Sequence, residues 1–68
     1  MENVEELIRQ YKKYIKLSDY EYGEFQRTRN KDHMKMVDYY TEKFEECGKK
    51  LEDLGVDTEK LYSEATGY

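Results

Sequence analysis

From Val4 onward the apolar residues recur at steps of three and four: Leu7, Ile8, Tyr11, Tyr14, Ile15, Tyr22 and Phe25, with Ser18 filling one slot. That spacing traces one face of a helix. A second series at the same spacing runs Met34, Val37, Tyr40, Thr41, Phe44, Cys47, Gly48, Leu51 and Leu54. Between them, Gln26-Arg27-Thr28-Arg29-Asn30-Lys31-Asp32 has no apolar residue. Arg27 and Arg29 suit a helix C-terminus, Asn30 the left-handed cap that closes one, and Asp32 the start of the next helix. The pattern predicts two helices, about 3–28 and about 32–54, joined by a turn at about 29–31. Because proline is absent, one continuous helix in a long coiled coil is the alternative. Gly55-Val56 after Leu54 reads as a Schellman stop, with Val56 as its apolar contact. Asp57 can then cap a short third helix, about 58–65, that shows Leu61, Tyr62 and Ala65. The expected fold is all-α: an antiparallel two-helix hairpin with a short C-terminal third helix, in a single domain covering 1–68.

An antiparallel hairpin makes its seam testable residue by residue. With the turn near Asn30, Phe25 should lie near Met34, Tyr22 near Val37 and Ser18 near Thr41. Ile15 should then meet Phe44, Tyr11 should sit over Gly48, and Ile8 should meet Leu51. Glycine inside a helix costs roughly 1 kcal/mol against alanine, and room for the Tyr11 ring is a reason for Gly48; a simple break in the second helix is the competing explanation.

Size changes the picture next. A chain of 68 residues buries only about 60% of the surface it exposes when unfolded, so a lone core is marginal. Such chains lean on disulfides, metals, very good helix packing or oligomerisation. One cysteine and one histidine allow no internal disulfide and no closed N/S metal site, so helix packing and self-association remain. Charged residues are 41% of the chain and the mean hydropathy is −1.21, values that also describe disordered chains. The aromatic content of 15% and the helical periodicity argue against disorder. Met1-Glu2-Asn3-Val4-Glu5-Glu6 has neither the basic start nor the apolar run of a signal peptide, and no apolar run is long enough to span a membrane. A free thiol fits a reducing compartment, so a cytoplasmic location is expected.

The hairpin seam does not use all the apolar residues. At roughly 100° per residue, Leu7, Tyr14 and Leu17 lie to one flank of the first helix's seam. Met36, Tyr39, Cys47 and Leu54 lie to the matching flank of the second. In an antiparallel pair these flanks point the same way and form a second apolar face rich in tyrosine and methionine. Contiguous exposed patches of that kind mark interaction sites. The face has two candidate occupants: a second hairpin, giving a four-helix-bundle homodimer, or the third helix folded back over it.

The remaining flank carries charge: Glu5, Arg9, Lys12, Lys13 and Lys16 on the first helix, and an acidic stripe of Asp38, Glu42, Glu45, Glu46 and Asp53 on the second. Asp38–Glu42 and Glu42–Glu46 are like-charge i,i+4 pairs, each slightly destabilising. A stripe kept despite self-repulsion can be a solvated helix face, or it can occupy the nucleic-acid-binding groove of a basic partner. Direct nucleic-acid binding would use Arg27, Arg29, Lys31 and Lys35 with Tyr22 and Phe25, but the net charge of −4 opposes it. His33 has neither a metal ligand nor a nucleophile at helical spacing, and Cys47 has no neighbour that lowers a thiol pKa. The sequence therefore predicts no catalytic, cofactor or metal site. It points to a non-enzymatic module that binds another protein, a regulator or inhibitor, with a purely structural bundle subunit as a further reading.

Overall fold

Asparagine and aspartate side chains set where the helices begin. In the computed structural model, which describes residues 3–67, the chain forms α1 (Val4–Thr28), α2 (Lys31–Asp53) and α3 (Thr58–Thr66). Asn3 accepts from the Glu5 amide at 2.8 Å, and Asn30 from the Asp32 amide at 2.9 Å. Asp57 accepts from Glu59 and Lys60 at 3.1 and 3.3 Å. Each such cap takes up an amide that the helix cannot, worth about 1 kcal/mol. The end of α2 is the expected Schellman motif. The Val56 amide donates to the Leu51 carbonyl at 3.0 Å, the Gly55 amide to Glu52 at 2.9 Å, and Gly55 sits at φ 83°.

The turn between α1 and α2 differs from expectation in one residue. Arg29, not Asn30, takes the left-handed conformation, at φ 59°, and its amide donates to the Phe25 carbonyl at 2.6 Å. Asn30 is extended and caps α2. One residue cannot serve both ends of so short a connection, and the amide-capping side chain decides which does which. A left-handed residue with a Cβ is strained by about 1–2 kcal/mol, partly offset by the Arg29 guanidinium 5.8 Å from the Phe25 ring centre. Arg29→Gly is therefore expected to stabilise the fold by about 0.5–1 kcal/mol, read as a higher midpoint in urea.

α1 and α2 pack closely as an antiparallel hairpin, in the predicted register where contacts report it. The Ser18 and Thr41 hydroxyls lie 3.4 Å apart. A Cβ on Gly48 would stand 2.9 Å from Tyr11 Cε2, so Gly48 is a close-approach site inside an unbroken α2. Tyr11 also meets Phe44 edge-on at 5.9 Å. Around this seam Leu7, Tyr11, Ile15, Cys47, Leu51 and Leu61 form the buried core, with Ile8, Tyr14, Phe44, Val56 and Ala65 packed against it. Gly23, by contrast, has nothing within 4 Å of where a Cβ would stand. The two glycines should respond oppositely to alanine. Gly23→Ala is expected to stabilise by about 0.5–1 kcal/mol. Gly48→Ala must push back a buried ring held on two sides, and overpacking costs of about 1–3 kcal/mol outweigh the helix-propensity gain. Denaturant titration of both variants checks the sign of each.

Toward the turn the seam opens. Tyr22, expected opposite Val37, is 48% exposed. The contacts of α3 fall at the other end of the hairpin, on Tyr11, Lys12, Phe44 and Glu52. The molecule measures 39 × 24 × 14 Å. No helix among the described residues is long and apolar enough to cross a membrane.

Candidate interaction face

The position of α3 decides which flank of the hairpin stays open. Thr58, at its first turn, donates to Glu52 at 3.0 Å and lies beside the Tyr11 phenol. Tyr62 approaches Phe44 at 6.3 Å between ring centres. Lys12 donates to Glu64 at 2.8 Å, which holds the Glu64 carboxyl below its usual range. Lys12 and Glu52 lie on the flank opposite Tyr14 and Tyr39 around their helices, and Phe44 lies in the seam between them. α3 therefore folds over the charged flank and leaves the tyrosine flank uncovered. Burial pushes the Tyr11 phenol above its normal value, partly countered by Thr58. The folded chain thus prefers neutral Tyr11, and this contribution to stability is complete below about pH 10 and is lost as pH rises beyond it.

Side-chain contacts tie the tyrosine flank together along the hairpin. Tyr14 of α1 stacks on Tyr40 of α2 at 6.1 Å, and Tyr39 meets Tyr40 edge-on at 5.5 Å. Next to them Met36 is 37% and Tyr39 49% exposed, and Leu17 is half-buried. The Lys43 ammonium lies 5.5 Å from the Tyr39 ring centre, and that of Lys13 6.0 Å from Tyr14. Leu7 and Cys47 are buried in the core beneath the face rather than displayed on it, with the Cys47 thiol 3.9 Å from the Gln10 side-chain oxygen. Leu54, 54% exposed, stands apart at the α2 C-terminus. The flank thus exposes Met36 and Tyr39, with Tyr14, Leu17 and Tyr40 half-buried beside them. Periodicity alone places Tyr40 in the seam; its position between two other rings is a tertiary feature.

At the turn end His33 Nδ1 lies 2.6 Å from Glu21 Oε2, both partly buried. This pair links α2 to α1 across the turn, so a search along one helix misses it.

The charged residues fall into two groups. Asp38, Glu42, Glu45, Glu46 and Asp53 are all exposed, and none forms an ion pair with another described residue. On α1, Arg9, Lys12, Lys13, Lys16 and Leu17 line a shallow groove, but Arg9 pairs with Glu6 and Lys12 with Glu64. Glu5 is exposed in the first turn of α1, where its charge favours the helix. Among the described residues no three acidic, histidine or cysteine side chains converge as a metal site would require. No protein-family model, curated protein or solved structure matches the chain.

Proposed function

We propose that the chain is a small, non-enzymatic protein–protein interaction module of the cytoplasm. It pairs through its tyrosine face into a homodimer that regulates or inhibits another protein. The observation that carries this reading is the placement of α3 on the opposite flank, which leaves Tyr14, Leu17, Met36, Tyr39 and Tyr40 open to a partner. α3 covers one side of the hairpin and leaves the tyrosine side without a second layer among the described residues, whereas helical domains bury a core between packed layers. A second hairpin laid on this face completes the four-helix arrangement that short chains use to bury enough surface.

Light scattering over a range of concentrations, with circular dichroism on the same samples, tests the pairing. The expected species is helical, with twice the 8.3 kDa chain mass. A helical monomer at every concentration contradicts it.

The exposed acidic row on α2 favours a second reading, in which that stripe occupies the nucleic-acid groove of a basic protein. It predicts salt-sensitive competition with DNA or RNA, lost on charge reversal at Asp38, Glu42 and Glu45. A purely structural bundle subunit would self-associate without any heterologous partner.

A further inference from the structure

Four charged residues stand around the tyrosine face in an arrangement that matches itself. Six residues from the Ser18–Thr41 contact toward the turn, Glu24 on α1 stands level with Lys35 on α2. Five residues the other way, Lys13 stands level with Glu46. On the helical wheel all four fall at the outer edges of the face, where Lys13 and Glu46 border the charged flank, and exposed Glu42 stands on the same edge of α2 between Lys35 and Glu46. They are the corners of a frame about 16 Å long, eleven residues at 1.5 Å each. The signs alternate round it: Lys13 positive, Glu24 negative, Lys35 positive, Glu46 negative. Tyr14, Leu17, Met36, Tyr39 and Tyr40 all lie inside. Of the charges nearer the centre, Glu21 is taken up by His33 and Lys43 lies against the Tyr39 ring. At the corners, Glu24 bonds Arg27, and Lys35 stands 4.0 Å from Asp32 with both side chains 81% exposed. Such i,i+3 pairs are worth only a few tenths of a kcal/mol and yield readily to a better partner.

We propose that the occupant of the tyrosine face is a second copy of the chain, selected by this alternating frame; the inference rests on the pairing proposed above. A two-fold axis lying between the faces, parallel to the helices, sets Lys13 on the partner's Glu46 and Glu24 on the partner's Lys35. A two-fold axis across the helices sets Lys13 on the partner's Glu24 and Lys35 on the partner's Glu46. Either way all four corners meet opposite charge. Self-complementarity under a two-fold is what an isologous dimer requires, and like charges juxtaposed at a rim reject wrong partners.

The test is the mass by light scattering of designed charge variants, with helicity followed on each. K13E/K35E makes all four corners negative, and E24K/E46K makes all four positive. Each is expected to weaken pairing about ten-fold or more at low salt, and an equimolar mixture of the two is expected to form a 1:1 dimer. K13E/E24K/K35E/E46K reverses every corner, keeps the alternation and is expected to pair like the parent chain. A dimeric parent whose single-sign variants pair equally well overturns the frame and leaves the tyrosine-face dimer standing. A mixture of helical single-sign variants that stays monomeric beside a dimeric parent does the same. A monomeric parent overturns both.

Discussion

Replacing Leu51 with alanine is expected to remove about 3 kcal/mol of stability, within the 2–5 kcal/mol range for buried leucines. Leu51 has 0% exposure and belongs to the core shared by α1, α2 and α3, so the hole left behind has no route to solvent and little freedom to collapse. For 68 residues the whole stability is of the order of 3–10 kcal/mol, which makes this loss a large fraction of it. In a domain of this size each kcal/mol moves the melting temperature by roughly 4–8 °C. A drop of about 12–24 °C in the circular dichroism melt is therefore expected, measured at one fixed chain concentration because pairing also contributes. Leu54→Ala is the control. Leu54, three residues on at the C-cap of α2, is 54% exposed, and its loss should cost well under about 1 kcal/mol. Equal effects at the two positions would mean the α2 C-terminus is not packed as described.

The second large effect is on association. Leu17→Glu with Tyr39→Glu puts two carboxylates into the middle of the tyrosine face. In a paired state each is desolvated, and a lysine one turn away on the same helix offsets only part of a cost of several kcal/mol. The expected dissociation constant is raised more than about a hundred-fold, since each 1.4 kcal/mol is a factor of ten. The same changes are mild for the single chain. Tyr39 is half exposed and Leu17 half-buried, and glutamate is a good helix former. Tyr39→Glu stands one turn from both Lys35 and Lys43, favourable i,i+4 placements, while for Leu17→Glu the favourable spacing to Lys13 is balanced by the like charge of Glu21 one turn on. The loss of the Tyr39–Tyr40 edge contact costs about 0.5–1.5 kcal/mol, within what the core can bear. Association should vanish while the circular dichroism spectrum stays helical. A double variant that still pairs would mean another surface is used.

The particular residues show what a single sequence carries. Helix limits were legible because caps and stops are local chemistry: Asn3, Asp57 and Gly55-Val56 act within a few residues of themselves. The seam register followed from periodicity, and Gly48 under Tyr11 is its sharpest instance. The left-handed residue is Arg29, one position before the expected Asn30, because the two compete for that conformation and the amide cap on Asp32 resolves the contest. The side taken by α3 was not legible. Leu61, Tyr62 and Ala65 are apolar enough for either flank, and the choice rests on polar contacts from Thr58 to Glu52 and Tyr11 and from Lys12 to Glu64. The Glu21–His33 pair was hidden because its members are twelve residues apart, joined by the turn rather than by helical spacing. Leu7 and Cys47, assigned to the outer flank, lie close enough to the seam for the core to claim them.

Methyl-labelled methionine gives the most direct test of whether the tyrosine face is the surface that pairs. Met36 lies on that face, whereas Met34 lies toward the opposite flank around α2. With a water-borne paramagnetic agent, the Met36 methyl signal should be shielded at high chain concentration and exposed on dilution, while Met34 stays unchanged. A Met36 methyl equally exposed in a proven dimer, or shielding of Met34 instead, would contradict the account.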